Sequence, residues 1–204
     1  MLLYAIVSML AIWKYNYYKH TALRFLLFYM LLQMVAEYIG MYLGKTYGAN
    51  AWWYSVSYFF SFLYIYLIFR DGVQSRKFKK NISRGMFLYI VSYISLVLIF
   101  GFDAISNTSI YIFGASIAIG CIVLYYVDLL KTNNIVSMRT NLLFWVSVGL
   151  LLFYVGYLPI KSIYLVSKQL LALSAFKGIH YTLIIIMNLC FITGFLLVKP
   201  RTQP

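Results

Sequence analysis

The sequence predicts an all-α fold: a polytopic transmembrane bundle of seven helices, N-terminus outside and C-terminus cytoplasmic. Three observations carry that expectation. Of 204 residues, 64% are hydrophobic and 10% charged, where an average soluble protein has about 25% charged. The apolar residues collect into seven segments, most of them close to the ~20 residues that cross a bilayer. The charge between segments is strongly uneven, with 17 Lys and Arg against 4 Asp and Glu. A soluble domain of this length could not hide so much apolar surface, because much of any folded surface meets water. That excludes soluble globular, disordered and disulfide-scaffold classes.

The segments are Leu2–Trp13, Phe25–Leu43, Trp52–Phe69, Met86–Phe102, Ile110–Leu130, Leu142–Ile160 and Tyr181–Val198. The first is short and reaches membrane thickness only by running to Tyr18, with Lys14 snorkelling and Tyr15, Tyr17 and Tyr18 in the headgroup zone. A signal peptide would want basic residues ahead of the apolar run and a small-residue cleavage site. Met1 leads straight into Leu2, so a true first span is expected. Trp13, Trp52, Trp53 and Tyr54 fall near segment ends, as interfacial belt residues do.

One alternate set of linkers carries Lys14, Lys19 and Arg24, then Arg70, Arg76, Lys77, Lys79, Lys80 and Arg84, then Lys131 and Arg139, then Lys199 and Arg201. The other set carries only Lys45, Lys161, Lys168 and Lys177. Thirteen against four sets the orientation by the positive-inside rule. The +13 formal charge is therefore an orientation signal, and no nucleic-acid partner is expected. The cluster from Arg70 to Arg84 is the densest charge in the chain; it suits anionic lipid headgroups or a cytoplasmic partner, and topology anchoring alone also accounts for it. The run Lys161–His180 is too long for a structureless loop. It extends the sixth helix, lies in the interface or dips into the bilayer.

Glu37 is the foremost candidate for a ligand or proton-binding role, with Gln33 and Asn188 as companions. An ionised side chain in mid-span costs about 2.5 kcal/mol or more by insertion scales. Gln33, Glu37, Gly40 and Gly44 lie near one helix face with Ala36 beside them, and the small-xxx-small series Ala36, Gly40, Gly44 admits a neighbouring backbone. Glu37 is thus expected to face the bundle, either as a ligand contact or as a hydrogen-bonded helix lock. Asp128, near a helix end, is expected to pair with Lys131 three residues on. Gly114, Ala118 and Cys121 form a close-packing face, with Ser116 and Gly120 on a neighbouring one, and Cys190 and Gly194 repeat the spacing. Ser55, Ser57, Ser61, Asn188 and Thr193 suit either a polar interior or interhelical bonds.

Enzymatic readings find little support. His20 and His180 fall at opposite faces, separated by about 30 Å of hydrocarbon, so they cannot share a metal or haem. There is no HExxH, no acid cluster and no Ser–His–Asp set. A retinal protein needs a Schiff-base lysine in the last helix, and Tyr181–Val198 has none. No catalytic residue, metal or cofactor is expected.

The sixth span reads Asn141–Pro159, with Phe144, Trp145, Gly149, Phe153, Tyr154, Gly156, Leu158 and Pro159 in an FW…G…FY…G…LP run. Gly149 and Gly156, seven apart, allow close packing, and Pro159 marks the outer end or a kink. This run, with Glu37, resembles a segment of small bacterial seven-helix membrane proteins, which in turn resemble the membrane sensor regions ahead of histidine kinases. The resemblance implies a plasma-membrane protein of the bacterial inner membrane. Together with the outward N-terminus, the small extramembrane mass and the one mid-membrane acid, it leads to the expectation of a sensory or signalling accessory without catalysis of its own, with a small pocket opening outward near Glu37 and a separate signalling partner. A small transporter or channel is the alternative expectation, and a lipid-modifying enzyme a more distant one.

Overall fold

The structure is a computed structural model describing residues 2–48, 50–132, 139–166 and 174–198. Every regular element among them is helical: α1 Leu2–Trp13, α2 Tyr15–Tyr18, α3 Leu26–Tyr47, α4 Ala51–Gly72, α5 Arg76–Phe100, α6 Ala104–Lys131, α7 Leu142–Val166 and α8 Ser174–Leu197. Six of them, α3 to α8, are long and apolar enough to cross a membrane. The chain is accordingly a multi-pass membrane protein. The first of the expected spans falls on two helices, the 12-residue α1 and the four-residue α2, with a break at Lys14. At 1.5 Å per residue, α1 alone covers about 18 Å. The Tyr18 hydroxyl donates to the Ala11 carbonyl oxygen at 2.8 Å and ties α2 back onto α1.

Helix ends move outward from the apolar segments, because apolarity and helicity stop at different places. α5 begins at Arg76, so Arg76, Lys77, Lys79, Lys80 and Arg84 belong to its first three turns and not to a loop. Lys and Arg are good helix formers and continue the helix into the headgroup zone. All five are exposed, with Arg70 at the end of α4 paired to Asp71 at 3.1 Å. α6 starts at Ala104, capped by the Asp103 carboxylate accepting from the Ser106 N–H at 2.6 Å. α7 does not stop at Pro159 but runs through it to Val166, and α8 already begins at Ser174, taking in Lys177. Lys161 and His180 therefore belong to helices, and residues 167–173 lie outside the described residues. Lys168, Lys199 and Arg201 lie outside the described residues. Gly48, with φ 66°, closes α3 in the left-handed conformation that glycine adopts without strain.

Packing arranges six helices as a ring. α1 packs on α3, α3 on α4, α4 on α6, α6 on α7, α7 on α8, and α8 back on α1. α5 lies outside this ring against α4 and α6; only 11% of its most apolar stretch is buried, against 44% for α6. Its anchors are Ile82 and Tyr89, the Tyr89 ring 5.5 Å from those of Phe62 and Tyr66.

The small residues sit at these contacts. A Cβ on Gly40 would strike the Tyr54 ring, on Gly44 the Asn50 amide, and on Gly114 the Phe62 ring. At Gly149 it would come 2.9 Å from the Met187 carbonyl oxygen, at Gly156 it would meet Leu183, and at Gly194 Trp145. Ala36 and Ala118 are buried. The second face of α6 behaves otherwise: Ser116 and Gly120 are exposed, and nothing stands near Gly120. Asp128 also departs from expectation. Its two oxygens accept from the N–H groups of Gln74 (2.6 Å) and Ser75 (3.1 Å), while the Lys131 ammonium lies over the Phe78 ring. The acid thus caps the α4–α5 turn 53 residues away, a partnership no local spacing announces.

Candidate functional site

The ring encloses a cavity of about 430 Å³ at the end opposite the basic turns. All six ring helices line it and α5 contributes nothing. The N-terminal half and middle of α3, the middle and C-terminal part of α7 and the N-terminal parts of α4, α6 and α8 form most of the wall. Such a volume is in the lower part of the range of small-molecule sites. Helical periodicity places the walls: Met30, Gln33 and Glu37 on α3; Tyr54, Tyr58, Ser61 and Phe62 on α4; Leu150, Tyr154, Tyr157 and Lys161 on α7. Each series steps by one, three or four residues, so each faces one way.

Seven tyrosines line the cavity: Tyr4, Tyr29, Tyr54, Tyr58, Tyr111, Tyr154 and Tyr157. Five of these rings, Tyr54, Tyr58, Tyr111, Tyr154 and Tyr157, pack against one another. Tyr58 meets Tyr111 edge-on with centroids 5.0 Å apart, and Tyr111 meets Tyr157 edge-on at 5.6 Å. Tyr157 lies 4.3 Å from the His180 ring. Aromatic rings serve here because they fill volume while offering hydroxyls to the interior.

Two opposite charges stand in this wall. Glu37 is exposed within the chain and lines the cavity beside the Tyr54 hydroxyl. Lys161 holds its ammonium 5.6 Å from the Tyr111 ring centre and 5.8 Å from that of Tyr157. In the ring order α1, α3, α4, α6, α7, α8, the helices bearing Glu37 and Lys161 are three places apart, on opposite sides. They act on each other electrostatically without touching: the described residues hold one ion pair, Arg70–Asp71.

Gln33 lines the cavity and donates to the Ser61 hydroxyl, whose own proton goes to the Ser57 carbonyl oxygen at 2.6 Å. Asn50 bridges to the Gly40 carbonyl oxygen at 3.1 Å and Trp53 to that of Ala36 at 2.8 Å, so the rim between α3 and α4 is pinned twice. Asn188 stands behind the cavity wall and not in it. It is fully buried, donates to the Ile184 carbonyl oxygen at 2.8 Å and leaves its own carbonyl oxygen without a partner. Two cavity atoms are likewise unpartnered: the Tyr111 hydroxyl, on a residue 4% exposed, and His180 Nδ1.

Lys161, His180 and the tyrosines escape a reading by apolar segments, because a charge near a segment end looks like a loop. The signal was present in the spacing Leu150, Tyr154, Tyr157, Lys161, one stripe once the helix is allowed past Pro159.

A second, smaller cavity of about 290 Å³ lies at the basic end, walled by Tyr17, Tyr18, His20, Asp71 and Asn141 among others. The two histidines thus belong to different cavities. Among the described residues no three His, Cys, Asp or Glu side chains come together. No family model, curated protein or solved structure matches the chain.

Proposed function

We propose that the protein is a non-catalytic sensory or signalling accessory of the plasma membrane whose ring of helices receives a small ligand at Glu37. The observation that supports this reading is the tyrosine-walled cavity inside an otherwise apolar ring, with an acid and a base facing it unbridged. Buried polar surface of this kind costs folding free energy, and in membrane bundles it marks ligand or ion paths. In the proposed orientation α1 and α2 together form a seventh crossing. Lys14 then lies at the interface, its ammonium 4.7 Å from the Trp13 and Tyr17 rings. The cavity opens outward, and the exposed bases of α5 meet anionic headgroups or a separate signalling protein in the cytoplasm.

Two measurements test this. Tyr47→Cys and Lys77→Cys, each introduced after Cys121 and Cys190 are replaced by Ala and probed in intact cells with an impermeant maleimide, read the orientation: only the first is labelled if the cavity faces out. Affinity capture from native membranes, with wild type and Glu37→Gln in parallel, reads the signalling role. A kinase or other signalling subunit whose recovery changes with Glu37→Gln supports it.

A specific observation favours transport as the second reading. On four helices the linings of the two cavities are separated by one to two turns, in which Leu26, Phe69, Val146 and Phe195 are buried. A sealed layer between two cavities is what alternating access requires. Flux into proteoliposomes that depends on this protein would put transport first.

A further inference from the structure

We infer that the ligand of this cavity is a small zwitterion, a molecule carrying an ammonium and an anionic group close enough together to fit between Glu37 and Lys161. The inference rests on the ligand-cavity reading above and adds the chemistry of the ligand. Glu37 and Lys161 stand on opposite walls, both line the same space, and neither is neutralised by a direct ion pair. In a low-dielectric interior such a separated pair attracts a molecule that presents the complementary charges in the reverse order.

The surroundings of the two charges differ in the sense this requires. On the basic side the Tyr111 hydroxyl is buried without a partner, and His180 Nδ1 is unpartnered close by, its ring 4.3 Å from Tyr157. An unpaired buried hydroxyl costs about 1–3 kcal/mol, and an anionic group held by Lys161 gives that hydroxyl an acceptor for its proton. On the acidic side the Tyr54 hydroxyl lies beside the carboxylate, and the Tyr54 and Tyr58 rings, stacked on each other with centroids 6.1 Å apart, line the same space, so charge and ring quadrupole together suit an ammonium. Further along the same helices the wall is apolar, with Phe62, Phe153, Ile184 and Met187. A free α-amino acid with an apolar side chain carries this chemistry. So does the headgroup of an ethanolamine phospholipid, and the experiment separates the two.

The full chain is reconstituted in nanodiscs of phosphatidylglycerol, which has no ammonium. It is titrated with L-phenylalanine, with 3-phenylpropanoate and with 2-phenylethylamine, and binding is read by tryptophan fluorescence and thermal midpoint. L-Phenylalanine is expected to bind at least about tenfold more tightly than either half-molecule, the equivalent of one charged hydrogen bond. Glu37→Gln should lower L-phenylalanine to the level of 3-phenylpropanoate and leave 3-phenylpropanoate unchanged. Lys161→Met should lower it to the level of 2-phenylethylamine. Tyr54→Phe replaces the first variant if Glu37→Gln is not monodisperse.

If none of the three binds but phosphatidylethanolamine added to the discs raises the midpoint in wild type and not in the two charge variants, the zwitterion stands with the lipid as its source. Binding of 2-phenylethylamine as tight as that of L-phenylalanine overturns the zwitterion and leaves a ligand cavity specific for cations. Silence of all three probes and of the lipid overturns the ligand cavity itself.

Discussion

Two carboxylates sit in apolar helices of this chain, and the molecule treats them in opposite ways. At the basic end, Asp128 is 5% exposed and both of its oxygens accept backbone N–H groups from the α4–α5 turn. At the other end, Glu37 is exposed to a cavity and faces a hydroxyl and a distant ammonium. A buried acid with its acceptor capacity met by backbone donors is a structural part, because nothing is left to bind. An acid that faces open volume with its counter-charge across the gap retains that capacity. Polarity inside a membrane bundle is thus informative only once its partners are known.

The contrast can be broken most directly at the closed end. Asp128→Ala leaves the Gln74 and Ser75 N–H groups without acceptors and is expected to cost about 2–4 kcal/mol, read by denaturant unfolding in detergent. Asp128→Asn, which keeps one acceptor oxygen, should lose roughly half as much; a wild-type curve for both would remove the capping role. Next in size is the ring itself. Gly149→Ala places a methyl group 2.9 Å from the Met187 carbonyl oxygen, a backbone atom that cannot step aside, and should cost about 1–3 kcal/mol. Gly120→Ala, in open space on the outer face, is the matched control and should not destabilise.

Smaller again is Tyr66→Phe. It deletes the 2.8 Å bond to the Gly114 carbonyl oxygen, and interhelical bonds in membranes average about 0.6 kcal/mol. The smallest expected effect belongs to the other acid. Glu37→Gln should shift unfolding by no more than about 0.5 kcal/mol, as surface-like substitutions do. A loss as large as that of Asp128→Ala would make Glu37 a helix lock and would falsify the distinction between the two ends.

How much of this could be read beforehand differs between backbone and site. Six spans are legible as apolar runs, and the Ala36, Gly40 and Gly44 face needs only helical spacing. Glu37 stands out because a charge in mid-span is rare. What escapes depends on distance along the chain or on where an apolar run stops. Asp128 looks paired with Lys131 because the true partners, Gln74 and Ser75, come from another turn. Lys161 looks like a loop residue because a segment defined by hydropathy ends at Ile160, while the helix goes on to Val166. Ring closure between α1 and α8 is a tertiary fact that no local pattern encodes.

Pro159 has a mechanical consequence for Lys161. Lacking an N–H, it cannot donate to the carbonyl of Val155, so the hydrogen-bond ladder of α7 misses one rung just before its last two turns. Those turns carry the ammonium. The cationic wall is therefore mounted on the most compliant stretch of its helix, while the rim bearing Glu37 is pinned by the Asn50 and Trp53 bonds. Of the two jaws, one is fixed and the other is sprung.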